Sequence, residues 1–213
     1  MKIALIGATG FVGSKVLAEA LQRGHQVTAL VRTPGKLPAQ AGVTAVSVDV
    51  NDAGQVAAAV AGHDAVVSAF NAPRGNPEFF AQYVGAVRAI VDGVKRAGVM
   101  RVLLVGGAGS LFVAPGVQLV DTPQFPAEYR IEAQAAREAL KQIGAETTLA
   151  WSFVSPAPIL APGQRTAQFR LGGDQVLMNG DKPGNISVED LAVAIVDELE
   201  TARHLQQRFT LTY

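Results

Sequence analysis

Two hydrophobic patterns alternate along the chain. In one, short segments are apolar at nearly every position; in the other, apolar residues recur every three or four positions. The first pattern is typical of strands buried on both faces, and the second of amphipathic helices. Strands are predicted at residues 1–6, 26–31, 44–48, 65–70, 101–105, 147–153 and 208–212. The alternation predicts an α/β fold: a doubly wound, Rossmann-type parallel sheet with helices on both faces.

Residues that favour helix ends lie at the borders of the helical segments. Asp52 and Ser187 are predicted as N-caps, and Asn76 and Pro77 as an N-cap and a first helical residue. Pro126 is predicted to open a helix that continues to residue 143. Glycines are predicted at four helix C-termini: Gly24, Gly62, Gly98 and Gly144.

The last third of the chain changes in character. Residues 155–165 contain three prolines and a glycine, which predicts a loop. Residues 166–178 carry aromatic and branched side chains around two glycines, which predicts a hairpin or two short strands. We therefore expect one domain over residues 1–213, in which residues 154–186 form a small C-terminal lobe on the substrate side.

Composition narrows the class of function. Hydrophobic residues make up 49% of the chain and charged residues 17%, and the formal net charge is zero, which argues against nucleic-acid binding. Cysteine is absent, and the three histidines lie far apart in sequence, so no metal site is expected. No apolar run has the length of a membrane span, and the N-terminal segment resembles a core strand rather than a signal peptide. We expect a cytoplasmic monomer or homodimer that acts on a small molecule.

A glycine-rich segment follows the first predicted strand. Gly7, Gly10 and Gly13 stand between that strand and an amphipathic helix. Glycine at these places allows a sharp turn, keeps side chains away from a phosphate and lets the helix approach closely. The N-terminus of the helix then offers N–H groups and a positive dipole to an anion. The spacing is one residue longer than the usual dinucleotide fingerprint, and it predicts a diphosphate site.

The end of the second predicted strand indicates which dinucleotide is bound. NAD-binding proteins usually place an acidic residue there, which accepts a hydrogen bond from the ribose 2′-hydroxyl. Here Arg32 and Thr33 occupy that place, with Lys36 nearby. A guanidinium suits a 2′-phosphate, so the sequence predicts a preference for NADPH over NADH.

Several motifs together resemble one known group. They are the glycine segment, residues 31–34, 49–50, 106–111, 155–156 and 162–174, and the later stretch 186–190. Over nearly its whole length the chain resembles the atypical short-chain dehydrogenases with NmrA-like, NAD(P)H-binding domains, and especially the small NADH-flavin reductase group. The resemblance implies that Asp49 and Val50 border the adenine, that residues 69–71 line the central riboses, and that Gly107, Ser110 and residues 155–156 surround the nicotinamide. The predicted cofactor-binding residues are Gly7, Thr9, Gly10, Phe11, Val12, Gly13, Arg32, Thr33, Lys36, Asp49, Val50, Ala69, Phe70, Asn71, Gly107, Ser155 and Pro156.

The catalytic pattern departs from that of typical short-chain dehydrogenases. Those enzymes use a serine and a Tyr-x-x-x-Lys pair, in which the lysine lowers the tyrosine pKa. Here Ser110 and Tyr129 are the candidate catalytic residues, but Ala133 stands where the lysine is expected. The alternative role for Tyr129 is that of a packing residue or pocket wall. A carbonyl reductase or an epimerase is therefore disfavoured.

Two functions remain open at this point. One is an NADPH-dependent reductase that passes hydride to a flat acceptor such as a flavin (FMN or FAD) or a quinone, which needs orientation more than acid catalysis. Four aromatic residues are candidates for a flat apolar mouth, with the core as the alternative that the sequence favours for each of them: Phe112, Phe125, Tyr129 and Phe153. The other is an NmrA-like regulatory protein that senses NADP(H) without turnover.

Overall fold

Fourteen strands and five α-helices are present in the computed structural model, which describes residues 1–73 and 75–213. The strands are β1 (Lys2–Ile6), β2 (Gln26–Val31), β3 (Val43–Ser47), β4 (Ala65–Ser68), β5 (Arg101–Val105), β6 (Phe112–Ala114), β7 (Val117–Gln118), β8 (Ala150–Pro156), β9 (Ile159–Ala161), β10 (Arg170–Gly172), β11 (Met178–Asn179), β12 (Lys182–Pro183), β13 (Asn185–Ser187) and β14 (Gln207–Thr212). The helices are α1 (Gly13–Gln22), α2 (Ala53–Val60), α3 (Phe79–Arg96), α4 (Arg130–Gly144) and α5 (Val188–Thr201).

The main sheet has eight strands in the order β10-β14-β8-β5-β4-β1-β2-β3. Every neighbouring pair is parallel except β10 with β14, which is antiparallel at the edge. This order is that of a doubly wound fold, so the predicted Rossmann-type architecture is confirmed.

Helices cover both faces of the sheet. Side chains alternate across a strand, so Ile3 and Leu5 of β1 pack with α1 and α5, whereas Ala4 and Ile6 pack with α2, α3 and α4. Both clusters are almost fully buried, which explains why the strands are apolar at successive positions.

Two predicted helix caps are confirmed and one is wrong. The Asp52 carboxylate accepts from the Gly54 and Gln55 N–H groups, and the Ser187 hydroxyl accepts from the Asp190 N–H. Asn76 does not cap α3: its side chain accepts from the Glu78 N–H in a turn, and the helix begins at Phe79. The helix predicted to open at Pro126 starts with a 3₁₀ turn at Ala127–Tyr129 and becomes α-helical at Arg130.

The predicted loop at residues 155–165 is partly wrong. β8 continues to Pro156, and β9 pairs in parallel with the distant strand β13, so that Ile159 lies opposite Asn185. In the region predicted to be a hairpin or two short strands, β10 joins the main sheet and Met178 pairs with Pro183 of β12. The remaining small pairs, β6–β7, β9–β13 and β11–β12, lie outside the main sheet.

Buried carboxylates hold a segment that we call the strap, residues 162–168. The strap is exposed and lacks regular structure, yet Arg165 forms two hydrogen bonds with Glu19 of α1, at 2.7 and 2.8 Å. Asp190 of α5 is fully buried and accepts from the N–H groups of Thr166 and Ala167. The Arg165 guanidinium holds the pKa of Glu19 below its ordinary value. The strap is thus joined to both helices on one face of the sheet.

A third buried carboxylate, Glu198, lies near the amino-terminal edge of the sheet. Glu198 is 3% exposed and accepts from the Arg101 guanidinium, the Ser152 hydroxyl and the backbone and ring of His204. Burial raises the pKa of Glu198, but the hydrogen bonds from His204 and Ser152 outweigh it, so the pKa lies below its ordinary value. His204 is therefore a structural partner of Glu198 rather than a simple surface residue.

Within residues 1–73 and 75–213, no helix is both long and apolar enough to cross a membrane. In the same ranges, no group of three histidine, aspartate or glutamate side chains is placed to hold a metal ion.

Candidate cofactor and substrate site

The strand order places the candidate site at a crevice. β1 lies between β4 and β2, and the chain runs outward in opposite directions from this point of the sheet. In open parallel sheets, ligands bind beyond the carboxyl ends of the strands where the winding reverses. Residues 7–13 follow β1, and Ala69, Phe70 and Asn71 follow β4, so both groups lie at that crevice.

Backbone contacts explain two of the glycines of the first loop, Gly7 and Gly13. Gly7 has a φ of +83°, and a Cβ there would lie 2.4 Å from the Ala69 carbonyl oxygen. A Cβ on Gly13 would lie 2.0 Å from the Gly7 carbonyl oxygen. The Gly10 N–H closes the turn by donating to the same Gly7 oxygen, at 2.9 Å. The loop is therefore a tight turn that connects β1 to α1 and packs against the residues after β4, and the sharp turn predicted from the sequence is present.

The start of α1 is suited to an anion. Its N-cap position is Val12, no side chain caps the helix, and its first turn contains no acidic residue. Thr9 and Gly10 are exposed, and Phe11 is 51% exposed, so the turn opens to solvent. Backbone N–H groups and the positive end of the helix dipole fit a diphosphate. The residues present thus fit the dinucleotide that the sequence predicts.

Three polar residues follow β2 at one end of the crevice. Arg32, Thr33 and Lys36 are all exposed, and Lys36 lies in a 3₁₀ turn whose N-cap is Thr33. After β3, the Asp49 carboxylate accepts from the Asn51 N–H, and Val50 is half-buried. Arg32 and Lys36 are thus accessible to a phosphate.

The other end of the crevice follows β5 and β8. Gly107 is half-buried, while Ser155 and Pro156 are buried. Gly106 is required by packing, because a Cβ there would lie 2.1 Å from the Phe153 ring. Among the described residues, the buried Ser155 hydroxyl has no hydrogen-bond partner. An unsatisfied buried hydroxyl at the end of a central strand is expected where a polar ligand completes the site.

Ser110 lies in a 3₁₀ turn directly after β5 and is only 1% exposed. Its hydroxyl accepts from Arg208 Nη1 at 3.0 Å, and its carbonyl oxygen accepts from the same nitrogen at 2.8 Å. Arg208 was not among the residues predicted to form the site. The available signal was an arginine at the start of an apolar strand, where a charge is buried only with partners.

The place of the expected lysine is closed by packing. Ala133 of α4 is buried, and its Cβ lies 2.5 Å from the position that a Cβ on Gly109 would take. Tyr129, one turn earlier, is 45% exposed in the 3₁₀ turn before α4. Arg130, the residue after Tyr129, does not replace the missing lysine, because its guanidinium donates to the carbonyl oxygens of Val120 and Phe125.

The aromatic residues expected at the mouth divide into two groups. Phe112, Phe125 and Tyr129 are half-buried or exposed, whereas Phe153 is 1% exposed in the core. Phe153 is therefore a core residue, and its ring fills the space above Gly106. The segment from residue 112 to 126, which we call the rim, is held by α4: Arg130 binds its carbonyl groups and Arg137 pairs with Asp121 at 2.8 Å.

Comparisons with known proteins agree with this geometry. The sequence profile of the NAD(P)H-binding family matches residues 7–202. The uncharacterized protein YwnB of Bacillus subtilis strain 168 is 42% identical over 214 residues, which cover 99% of this chain and 98% of YwnB. A candidate epimerase from Bacteroides thetaiotaomicron shares 44% identity and a TM-score of 0.92, over 100% of this chain and 96% of that one. A candidate NADH-flavin reductase from Streptococcus pneumoniae TIGR4 shares 33% identity and a TM-score of 0.87, over 100% and 99%. The chain belongs to the NAD(P)H-binding family, which confirms the resemblance that its motifs indicate.

Proposed function

We propose that the protein is an NADPH-dependent reductase that transfers hydride to a flat acceptor such as a flavin or a quinone. The observation that carries the proposal is the uncapped start of α1 beside Gly7 and Gly13, with exposed Arg32 at the end of the next strand. The first feature suits a diphosphate, and the second suits a 2′-phosphate.

Each part of the crevice has a task in this function. The bound nicotinamide supplies the hydride. The N–H groups at the start of α1 hold the diphosphate, and Arg32, with Thr33 and Lys36, holds the 2′-phosphate. Gly107, Ser155 and Pro156 enclose the reactive ring, and the half-buried Phe112 and Phe125 of the rim offer apolar surface to a flat acceptor. Ser110 offers its hydroxyl proton to an oxygen or nitrogen of the acceptor as negative charge develops there.

The packing at Ala133 favours a flat acceptor over an alcohol or a simple carbonyl. A Tyr-x-x-x-Lys site needs an ammonium group one turn from the tyrosine, and here that place is an alanine against Gly109. Reduction of a flavin or quinone depends mainly on stacking and orientation. The acceptor takes up one hydride from the nicotinamide and one proton, and that proton comes from water. The name of the Streptococcus pneumoniae neighbour supports a flavin acceptor. An epimerase of the kind named for the Bacteroides neighbour is disfavoured by Ala133.

One observation favours a second function, an NADP(H)-binding regulatory protein. Ser110 is almost fully buried and Tyr129 has no lysine one turn away, so the acid–base set is incomplete. Such a protein would bind the dinucleotide in the same crevice and pass its redox state to a partner. For either function we propose a cytoplasmic monomer or homodimer.

Turnover and binding measured together separate these functions. NADPH oxidation is followed by absorbance with riboflavin, FMN and a simple naphthoquinone as acceptors, and NADPH binding is followed by calorimetry. Turnover above the rate without protein, which falls in Gly13→Ala at NADPH concentrations near the wild-type Kd, supports the reductase. Micromolar binding without turnover supports the regulatory protein, and absence of binding contradicts both.

A further inference from the structure

Arg208 of β14 joins three segments that are distant in sequence. Its side chain is 3% exposed, and it donates to two oxygens of Ser110 and to the carboxylate and carbonyl oxygens of Asp174. The Asp174 carbonyl also accepts from the N–H of Phe112, at the start of the rim. The Arg208 guanidinium lies 6.0 Å from the centre of the Phe112 ring. One buried cation thus connects the Ser110 turn, the rim and the loop after β10.

The chemistry of the guanidinium fixes the role of the Ser110 hydroxyl. Arginine carries N–H donors and no acceptor, so the Ser110 oxygen accepts in this contact. The hydroxyl proton must then point away from Arg208. Within the described part of the chain, no hydrogen bond donated by the Ser110 hydroxyl is present, although the residue is 1% exposed. A buried hydroxyl with its proton unused is prepared to donate to a ligand.

The charge of Arg208 adds to this effect. A cation 3.0 Å from the Ser110 oxygen polarises the O–H bond, which makes the hydroxyl a stronger donor toward developing negative charge. Asp174 balances the cation, but its side chain is 67% exposed and lies on the far side from Ser110 in the hydrogen-bond chain. Water therefore screens Asp174 more than it screens the buried contact with Ser110.

We propose that Arg208 is a positioning residue, which holds Ser110 so that the hydroxyl proton faces the hydride acceptor. The proposal rests on the proposed reductase function. The alternative is that Arg208 only stabilises the fold. In that case, removing Arg208 would change turnover by the same factor whether or not the Ser110 hydroxyl is present.

A double-mutant cycle tests this coupling. The variants are Ser110→Ala, Arg208→Gln, their combination and Arg208→Lys, and the measured quantities are kcat, KM for the acceptor, Kd for NADPH and Tm. We expect each single change to Ala or Gln to lower kcat by about 100-fold with a small effect on NADPH binding. The kcat of the double variant should lie within about twofold of the kcat of the less active single variant, because Arg208 acts through the Ser110 hydroxyl. Arg208→Lys, which keeps the charge, should recover part of the lost kcat.

The control removes a comparable contact without touching Ser110. Arg137→Gln breaks the pair with Asp121 that also holds the rim, and kcat should stay within about twofold of the wild-type value. If Arg208→Gln lowers kcat equally in the wild-type and Ser110→Ala backgrounds, or if only Tm changes, the proposal is overturned. If Arg208→Gln does not fold, the same comparison is made with Arg208→Lys. Wild-type protein without turnover on any acceptor would instead contradict the proposed function.

Discussion

Replacement of Gly13 by alanine tests the contact on which the cofactor site depends. The added Cβ would lie 2.0 Å from the Gly7 carbonyl oxygen and 2.6 Å from the carbonyl carbon. Both distances are shorter than 3.0 Å, the closest approach that real Cβ atoms make to such neighbours. Both partners are backbone atoms at the turn between β1 and α1, so no flexible side chain can move aside. The start of α1 must therefore shift from the loop by at least the difference, 1.0 Å (3.0 − 2.0).

The size of the effect follows from packing and from hydrogen bonding. Overpacking costs about 1–3 kcal/mol, and a contact between backbone atoms belongs at the upper end, about 3 kcal/mol. For a chain of this length, that corresponds to a Tm lower by about 6–12 °C. A shift of the first turn also misplaces N–H donors to the diphosphate. Loss of one charge-assisted hydrogen bond is worth about 1.5–3 kcal/mol, so Kd for NADPH should rise by about 10- to 150-fold.

Gly85→Ala is the matched control. Gly85 lies inside α3, and nothing lies within 4 Å of the position of its Cβ. The same chemical change should raise stability by about 0.5–1 kcal/mol, because glycine weakens a helix interior, and should leave NADPH binding unchanged. Calorimetry with NADPH and thermal unfolding by circular dichroism measure both effects. A folded Gly13→Ala variant with wild-type affinity for NADPH would refute the assignment of the diphosphate to this turn.

Two further predictions concern charges. Arg32→Ala should raise Kd for NADPH by about 10-fold or more and leave Kd for NADH unchanged. Arg203 is also exposed, and Arg203→Ala should change neither Kd. If Arg32→Ala leaves the ratio of the two Kd values unchanged, the predicted preference for NADPH is contradicted. Because Glu198 has a lowered pKa, its stabilisation is present above about pH 4.5 and is lost as pH falls through its folded value. Glu198→Gln should therefore lower stability by about 1–3 kcal/mol at neutral pH and weaken the fall of Tm between pH 5 and 3. An unaltered dependence of Tm on pH in acid would be the contrary result.

Local sequence patterns predicted the elements whose signals lie within one segment. β2 and β5 were placed at the observed bounds, and Asp52 and Ser187 were recognised as caps, because each signal involves residues only a few positions apart. Asn76 was misread because an asparagine before a proline favours both a cap and a turn, and the turn formed. The first loop was predicted well because glycine itself is required by the backbone contacts.

Features that depend on residues far apart in sequence could not be predicted from local patterns. β9 lies in a proline-rich segment and becomes a strand only because β13 lies beside it. Arg208 binds Ser110 across 98 positions, so its role was hidden within a strand pattern. Phe153 was a candidate for both the core and the mouth, because aromatic residues are common in cores and at ligand sites and sequence alone does not give the space above Gly106.

The strap differs from the rest of the molecule in what keeps it in place. Its contacts with Glu19 and Asp190 are charged or polar, and its own residues are exposed, so little apolar area is removed from water when it docks. Its detachment would therefore expose few hydrophobic groups and depend weakly on denaturant but strongly on protonation of the two carboxylates. In acid, the amides of Thr166 and Ala167 would exchange with solvent while the central strands are still protected.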